Sequence, residues 1–264
     1  MKISVITPCR NSGAFIERTL KSVIAQRGAW GELEYIVMDG ASTDSTPDIL
    51  RAYSKDIDVL VSEKDSGPAF AINKGLARAT GDILCWLNAD DTYFPGALER
   101  VAAAFAEHPN AALAFGRCII IDEYDKEFRR GITNFKHAFF PFSCRFLIQC
   151  INYVSQPAMF FRRSAFQKAG ALNESMKAAW DYEFMLRLWK CGGAAVVPPP
   201  ALAAFRWHTQ SISGQHFRMQ FKEEYDAAIA DAGRFSLQAL AHLFVRWGIV
   251  GSYSLMARAR KAGN

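Results

Sequence analysis

Asn88-Ala89-Asp90-Asp91 follows an apolar run, Asp82 to Leu87, and precedes Thr92-Tyr93-Phe94-Pro95-Gly96. Carboxylates gathered after an apolar strand sit where open α/β sheets bind ligands. Hard oxygen donors there suit Mg²⁺ or Mn²⁺ holding a diphosphate. A plain turn uses the same Asn, Asp and Gly, so the tetrad alone leaves both readings open. Three other polar groups follow other apolar runs: Thr7-Pro8-Cys9-Arg10-Asn11, Asp39-Gly40-Ala41-Ser42-Thr43-Asp44, and Glu63-Lys64-Asp65-Ser66-Gly67 with Asn73-Lys74-Gly75 beyond it. A carboxylate at a strand end accepts the N–H of a pyrimidine ring, and Gly67 lets backbone approach a ribose closely. Each group by itself is explicable as a loop tip. Four of them after successive strands converge on one edge of a parallel sheet, which favours a single crevice.

The elements that must position these groups alternate. Lys2–Thr7, Leu33–Met38, Asp58–Val61, Asp82–Leu87 and Ala111–Phe115 read as strands. Between them, helices are predicted from a Ser12 cap to Gln26, over Ser45–Tyr53, over Gly67–Ala79, and from Pro95 to Glu107. Such a β-α-β-α series implies an α/β fold with a largely parallel sheet covered by helices. Neither G-x-G-x-x-G nor G-x-x-x-x-G-K-[ST] is present, so a dinucleotide fingerprint and a P-loop are excluded. Residues 116–200 are less regular. Gln156–Arg163 and Ala201–Trp207 read as strands, and Trp180–Lys190 as a helix.

The 264 residues suit one large domain with an appendage. The net charge of +5 belongs to the end of the chain: beyond Ala232 stand Arg234, Arg246, Arg258, Arg260 and Lys261 with no acid, and the remainder is neutral. A general nucleic-acid surface is therefore not supported. Six cysteines without C-x-x-C spacing read as reduced thiols of a cytoplasmic protein. No apolar stretch approaches the ~20 residues that span a bilayer, and the N-terminus is too soon broken for a signal peptide. Leu237 to Val250 reads as a helix with Leu237, Leu240, Leu243, Phe244, Trp247 and Val250 broadly on one side and a stripe of Gln238, His242 and Arg246. That pattern fits a helix lying on an anionic membrane surface, or one docked on the body or on a second subunit. The Phe-rich segment Phe135–Phe146 has the same choice between core, acceptor site and bilayer.

Together these phrases resemble family-2 glycosyltransferases of GT-A fold, whose Rossmann-like, mostly parallel sheet is flanked by helices. The match runs through Val5-Ile6-Thr7-Pro8 with Asn11, Ile36-Val37-Met38-Asp39-Gly40, Asp65-Ser66-Gly67 with Ala71-Ile72-Asn73-Lys74-Gly75, and Leu87-Asn88-Ala89-Asp90-Asp91. It continues with Gln156-Pro157-Ala158, Asp181-Tyr182-Glu183 and Arg206-Trp207-His208, covering about the first 210 residues. The resemblance implies a nucleotide-sugar-binding half (1–115), an acceptor-binding half (116–210) and a C-terminal helical extension (211–264). It implies an inverting transfer of a sugar from a nucleotide-sugar, a UDP-sugar above others, to a saccharide or lipid-linked saccharide during surface polysaccharide or glycolipid synthesis. The implied donor contacts are Thr7, Pro8, Arg10, Asp39, Asp65, Gly67, Asn73, Lys74, Asn88, Asp91 and Arg206. Asp90 and His208 look like ligands of Mn²⁺ or Mg²⁺, and Asp181 like the general base, with Glu183 the weaker choice. The implied place of work is the cytoplasm, with peripheral contact to the inner face of the cell membrane through the C-terminal helix.

The sequence also departs from the pattern. Asn88 stands where Asp more often opens the D-x-D element, Gly40 where relatives carry a second Asp, Phe70 where Asp is frequent, and Trp180 where Glu is common. An inert sugar or lipid binder on the same fold, or a nucleotidyltransferase, is the competing expectation.

Overall fold

The computed structural model of the chain describes residues 1–209, 211–215 and 217–248. In chain order its elements are β1 (Lys2–Cys9), α1 (Ile16–Ile24), β2 (Glu32–Asp39), α2 (Thr46–Ala52), β3 (Val59–Ser62), α3 (Pro68–Arg78), β4 (Ile83–Trp86), β5 (Thr92–Tyr93), α4 (Ala97–Glu107), β6 (Leu113–Phe115) and β7 (Cys118–Ile121). There follow α5 (Arg130–His137), α6 (Arg145–Cys150), β8 (Met159–Arg162), α7 (Arg163–Ala169), α8 (Trp180–Lys190), β9 (Ala194–Val196), β10 (Ala203–Arg206), α9 (Ile212–Gln215) and α10 (Phe217–Ala232). Residues 237–248 form a further helix, α11.

Seven strands form the main sheet in the order β3-β2-β1-β4-β8-β6-β9. Only β8 runs against its neighbours, β4 and β6; the other pairings are parallel. β1 is buried on both faces, as a central parallel strand must be. Its side chains alternate: Ile3 and Val5 join a core with α1, α2 and α4, whereas Ile6 joins a core with α3, α8 and α10. A small second sheet, β5-β10-β7, carries the end of Ala201–Trp207 away from the main sheet. Its central strand β10 pairs with β5 antiparallel and with β7 parallel.

Several element boundaries differ from the sequence expectation. Ser12 is not a side-chain cap: α1 starts at Ile16 after Phe15, and the Ser12 hydroxyl donates to Arg10 O at 3.3 Å. Pro95 precedes α4 rather than opening it; Gly96 intervenes with φ 69°, a left-handed conformation that glycine takes without strain. Gln156–Ala158 is a single 3-10 turn ahead of β8. All six cysteines are unpaired, and four of them are buried.

α11 docks in a way its pattern did not specify. The polar stripe faces the body: Gln238 Nε2 donates to Gln149 Oε1 at 3.3 Å, His242 Nδ1 lies 3.0 Å from Gln149 O, and Arg246 sits over the Tyr225 ring. Leu237, Leu240, Phe244 and Trp247 are all at least half exposed. Val250 lies outside the described residues. Among the described residues, no helix is long and apolar enough to cross a membrane.

Candidate active site

A cavity of about 530 Å³ opens at the C-terminal edge of β1 and β4. Pro8, Arg10, Asp65, Gly67, Asn88, Asp90, Asp181 and His208 all line it, so residues far apart in sequence meet on one wall. Parallel strands bring the loops after β1, β3 and β4 to one edge, while Asp181 arrives from α8 and His208 from beyond β10 of the second sheet.

The Asp90 side is a linked pair. His208 Nε2 lies 3.0 Å from Asp90 Oδ2. The imidazole stacks at a tilt against Phe15, ring centres 5.1 Å apart. The two side chains are close enough that both could reach one small cation on the cavity wall. A carboxylate oxygen with an imidazole nitrogen is a donor set suited to Mn²⁺, so the residues present fit a divalent cation. Among the described residues no three His, Cys, Asp or Glu side chains gather into a cage. Remaining positions on such a cation would fall to phosphate oxygens and water.

Arg206 and Asp91 are placed differently from expectation. Both are fully buried, and neither lines the cavity. Arg206 donates from Nε to Asp90 O at 2.8 Å, from Nη1 to Asp122 O at 2.6 Å, and from Nη2 to Asp125 Oδ1 at 2.5 Å. Its guanidinium is thus spent on protein acceptors, not aimed at a phosphate. Asp91 accepts the Arg206 backbone N–H at 2.8 Å, and burial, then the charge of Asp90, pushes its carboxyl well up. These contacts tie the tetrad loop to the end of β10, two residues before His208.

Asn88 explains its own departure from an acid. Its Nδ2 lies 3.2 Å from Asp91 Oδ2 and 3.3 Å from Gln156 Oε1, so it donates between two acceptors. Gln156 is fixed in that orientation because its Nε2 donates to Trp86 O at 2.7 Å. A carboxylate at position 88 would face both oxygens with nothing to donate. Gly40 has an equally local reason: a Cβ there would meet Asp65 Oδ2 at 2.5 Å.

Beyond β3, Asp65 lines the cavity and accepts the Gly67 N–H at 2.9 Å. Gly67 has φ 128°, which L side chains rarely adopt. Thr7 and Asp39 stand behind this wall. Thr7 Oγ1 is 3.1 Å from Tyr35 Oη, and Asp39 accepts from the hydroxyls of Ser42 and Ser62 at 2.5 Å each. Asn73 and Lys74 also stay off the wall. Asn73 clasps the backbone of Leu172 and donates to Glu174, while Lys74 pairs with Glu63 and lies over Phe70. They fasten α3 to its surroundings.

Asp181 is the second residue of α8 and reaches the cavity beside Trp180 and Lys136. Burial raises its carboxyl, against backbone N–H groups and the charge of Lys136. Glu183 turns away into an ion pair with Arg187 at 2.7 Å. Sequence reasoning did not find Lys136, Asn152 or Gln220, which also line the cavity. None sits in a periodic or strand-end position that would mark it.

With fold and site in view, the comparisons with known proteins agree on a class. The model of Glycosyl transferase family 2 matches residues 4–170. The chain belongs to that family and is a glycosyltransferase. It is 27% identical over 263 residues to the PGL/p-HBAD biosynthesis glycosyltransferase of Mycobacterium tuberculosis, covering 97% of this chain and 94% of the relative. Over a shorter stretch of 101 residues it is 42% identical to the putative teichuronic acid biosynthesis glycosyltransferase TuaG of Bacillus subtilis, which is 37% of this chain and 39% of the relative. Among solved structures, S. aureus TarS 1-349 in complex with UDP-GlcNAc superposes with TM-score 0.69 at 19% identity, covering 91% of this chain and 69% of that one. The mannosyltransferase PcManGT of Pyrobaculum calidifontis, in complex with GDP-Man and Mn²⁺, gives 0.65 at 19% identity over 98% and 79%. These likenesses support the GT-A architecture seen here.

Proposed function

We propose that this glycosyltransferase moves a sugar, with inversion, from a UDP-sugar to an acceptor hydroxyl in the synthesis of a surface polysaccharide or glycolipid. The observation that carries the reading is one cavity with the Asp90–His208 pair and Asp181 both on its wall. The names of the mycobacterial and Bacillus relatives support the process, and the UDP-GlcNAc bound to TarS supports the donor.

Asp65 and the Gly67 backbone face the nucleoside, with Pro8 and Arg10 beside them; Asp39 and Thr7 brace the wall from behind. Asp90 and His208 would hold Mn²⁺ or Mg²⁺, which when bound neutralises charge on the leaving diphosphate. Arg206 and Asp91 keep that pair together by locking the tetrad loop to β10. Asp181 takes the proton of the acceptor hydroxyl as its oxygen attacks the anomeric carbon. Its raised pKa makes it a stronger base than an exposed aspartate.

The acceptor is carried at an anionic lipid surface, which the outward apolar face of α11 contacts. The chain beyond Ala232 supports this, with its five basic residues and no acid. Pelleting with anionic but not neutral vesicles is the expected result. A concentration-dependent dimer without vesicle binding would assign the face to a second copy instead.

Turnover of a panel of nucleotide-sugars with Mn²⁺, for the native protein and Asp181→Asn, tests the reaction. The variant is expected to lose about 10³-fold in kcat with UDP binding retained. Full transfer by Asp181→Asn would remove the assigned base. Release of pyrophosphate rather than UDP would make the protein a nucleotidyltransferase, and UDP binding without any donor turnover would make it an inert binder.

A further inference from the structure

α10 packs on α6 and α8, and two adjacent acids on it reach the segment that carries Asp181. Glu223 accepts three backbone N–H groups: Lys177 at 2.8 Å, Ala178 at 2.8 Å and Ala179 at 3.0 Å. These residues lead directly into α8, whose N-cap residue, Ala179, has no side chain with which to cap. A carboxylate at that point meets unpaired N–H groups and the positive end of the helix dipole. Glu223 therefore caps α8 from another helix, and Asp181 lies two residues beyond the last N–H it holds.

Glu224 is 4% exposed and accepts from Asn152 Nδ2 at 3.1 Å and Gln220 Nε2 at 3.2 Å. Both amide-bearing residues line the cavity, so this carboxyl sits immediately behind its wall. Burial first, and the charge of Asp181 after it, raise it to about 7, against the hydrogen bonds from Asn152 and Gln220 and the charge of Lys136. The other charges facing this corner include Glu223, which raises Asp181, and Asp231, which together with Glu224 raises Tyr182 and is itself paired with Arg145 and Lys190. Tyr182 donates its hydroxyl to Ile148 O at 2.7 Å and is held protonated by burial.

We propose that α10 is part of the transfer site: Glu223 is a positioning residue that fixes the backbone leading to Asp181, and Glu224 is a positioning residue whose charge sets how basic Asp181 is. The inference rests on Asp181 being the base. With Glu224 neutral, Glu223 and Asp231 are the other acids of this corner, and Glu224 adds no charge to theirs. With Glu224 ionised, its negative charge raises the affinity of Asp181 for the acceptor proton. The transfer rate accordingly climbs in two steps as pH rises, first when Asp181 loses its proton and again when Glu224 does.

Steady-state kcat from pH 5 to pH 9 for the native protein, Glu224→Gln and Glu224→Asp is the test. Glutamine is isosteric and still accepts from Asn152. Glu224→Gln is expected to lose the second step, so that its kcat relative to native falls about three- to tenfold between pH 5.5 and pH 8.5 at constant donor KM. Glu224→Asp keeps an acid and keeps the second step. A flat ratio for Glu224→Gln across the range overturns the role of Glu224. Glu223→Gln is expected to lower kcat about tenfold with UDP affinity unchanged. Unchanged kcat, or kcat and UDP affinity falling together, overturns the role of Glu223. Loss of transfer in Asp181→Asn beside a flat Glu224→Gln ratio would defeat this inference alone; retained transfer in Asp181→Asn would defeat the reading beneath it.

Discussion

Asp90 and Asp181 face the same cavity from opposite kinds of surroundings. Asp90 has an imidazole 3.0 Å away and a backbone carbonyl gripped by a buried arginine. Asp181 has burial raising it, a second buried acid behind it, and a lysine charge in opposition. In the proposed reading the first arrangement serves to hold a cation. The second suits a group that must take up a proton and release it. In that reading the two carboxylates divide the work because their neighbours differ, not because their chemistry does.

The sharpest way to break that contrast is to vary Mn²⁺ against both sites. His208→Ala and Asp181→Asn are each expected to lose roughly 10²- to 10³-fold in kcat/KM. Only His208→Ala should recover part of it at high Mn²⁺. Equal recovery in both would mean that the two carboxylates do not divide the work.

Stability against pH probes the second surroundings. The carboxyl of Glu224 is raised in the folded protein to about 7 from 4.5, so between these values the native state holds more proton than the unfolded chain. Stability is therefore highest below that window and falls as pH rises through it, by about 3 kcal/mol for this group. Urea unfolding at pH 4.5 and pH 7.5 should show that slope reduced in Glu224→Gln. An identical slope in the variant would show that the acid is not held neutral.

Asn88→Asp turns a donor into an acceptor facing Asp91 and Gln156. It is expected to cost about 2 kcal/mol of stability. A melting temperature equal to the native one would show that the amide donates to neither oxygen. The smallest stability effect belongs to Phe244→Glu with Trp247→Glu on the outward face of α11. Less than about 0.5 kcal/mol should change, while pelleting with anionic vesicles disappears. Retained pelleting would place the lipid contact elsewhere.

The wall formed by the strand-end loops was far more legible than the wall backed by α10, for a physical reason that Asp65 and Glu224 illustrate. Asp65 follows a strand and precedes a glycine, so its loop is marked by local chemistry, and parallel pairing carries such loops to one edge. Glu224 sits in an ordinary helical run, next to another glutamate, with nothing local to distinguish it. Its partner Asn152 is 72 residues away. Arg206 shows the opposite error: its motif was visible, but the direction of its side chain was not, and the carbonyls of Asp90 and Asp122 claim it.

The amino-acid sequence by itself determined the α/β order and the strand-end clusters, because periodicity and turn chemistry act over a few residues, and its motifs carried the resemblance to the family. Which side chains reach the cavity, why position 88 is an amide, which face of α11 points outward, and that α10 braces the segment of Asp181 were decided only by tertiary packing. Hydrogen-bond partners and burial depend on residues that the chain brings together from a distance, and no local pattern encodes them.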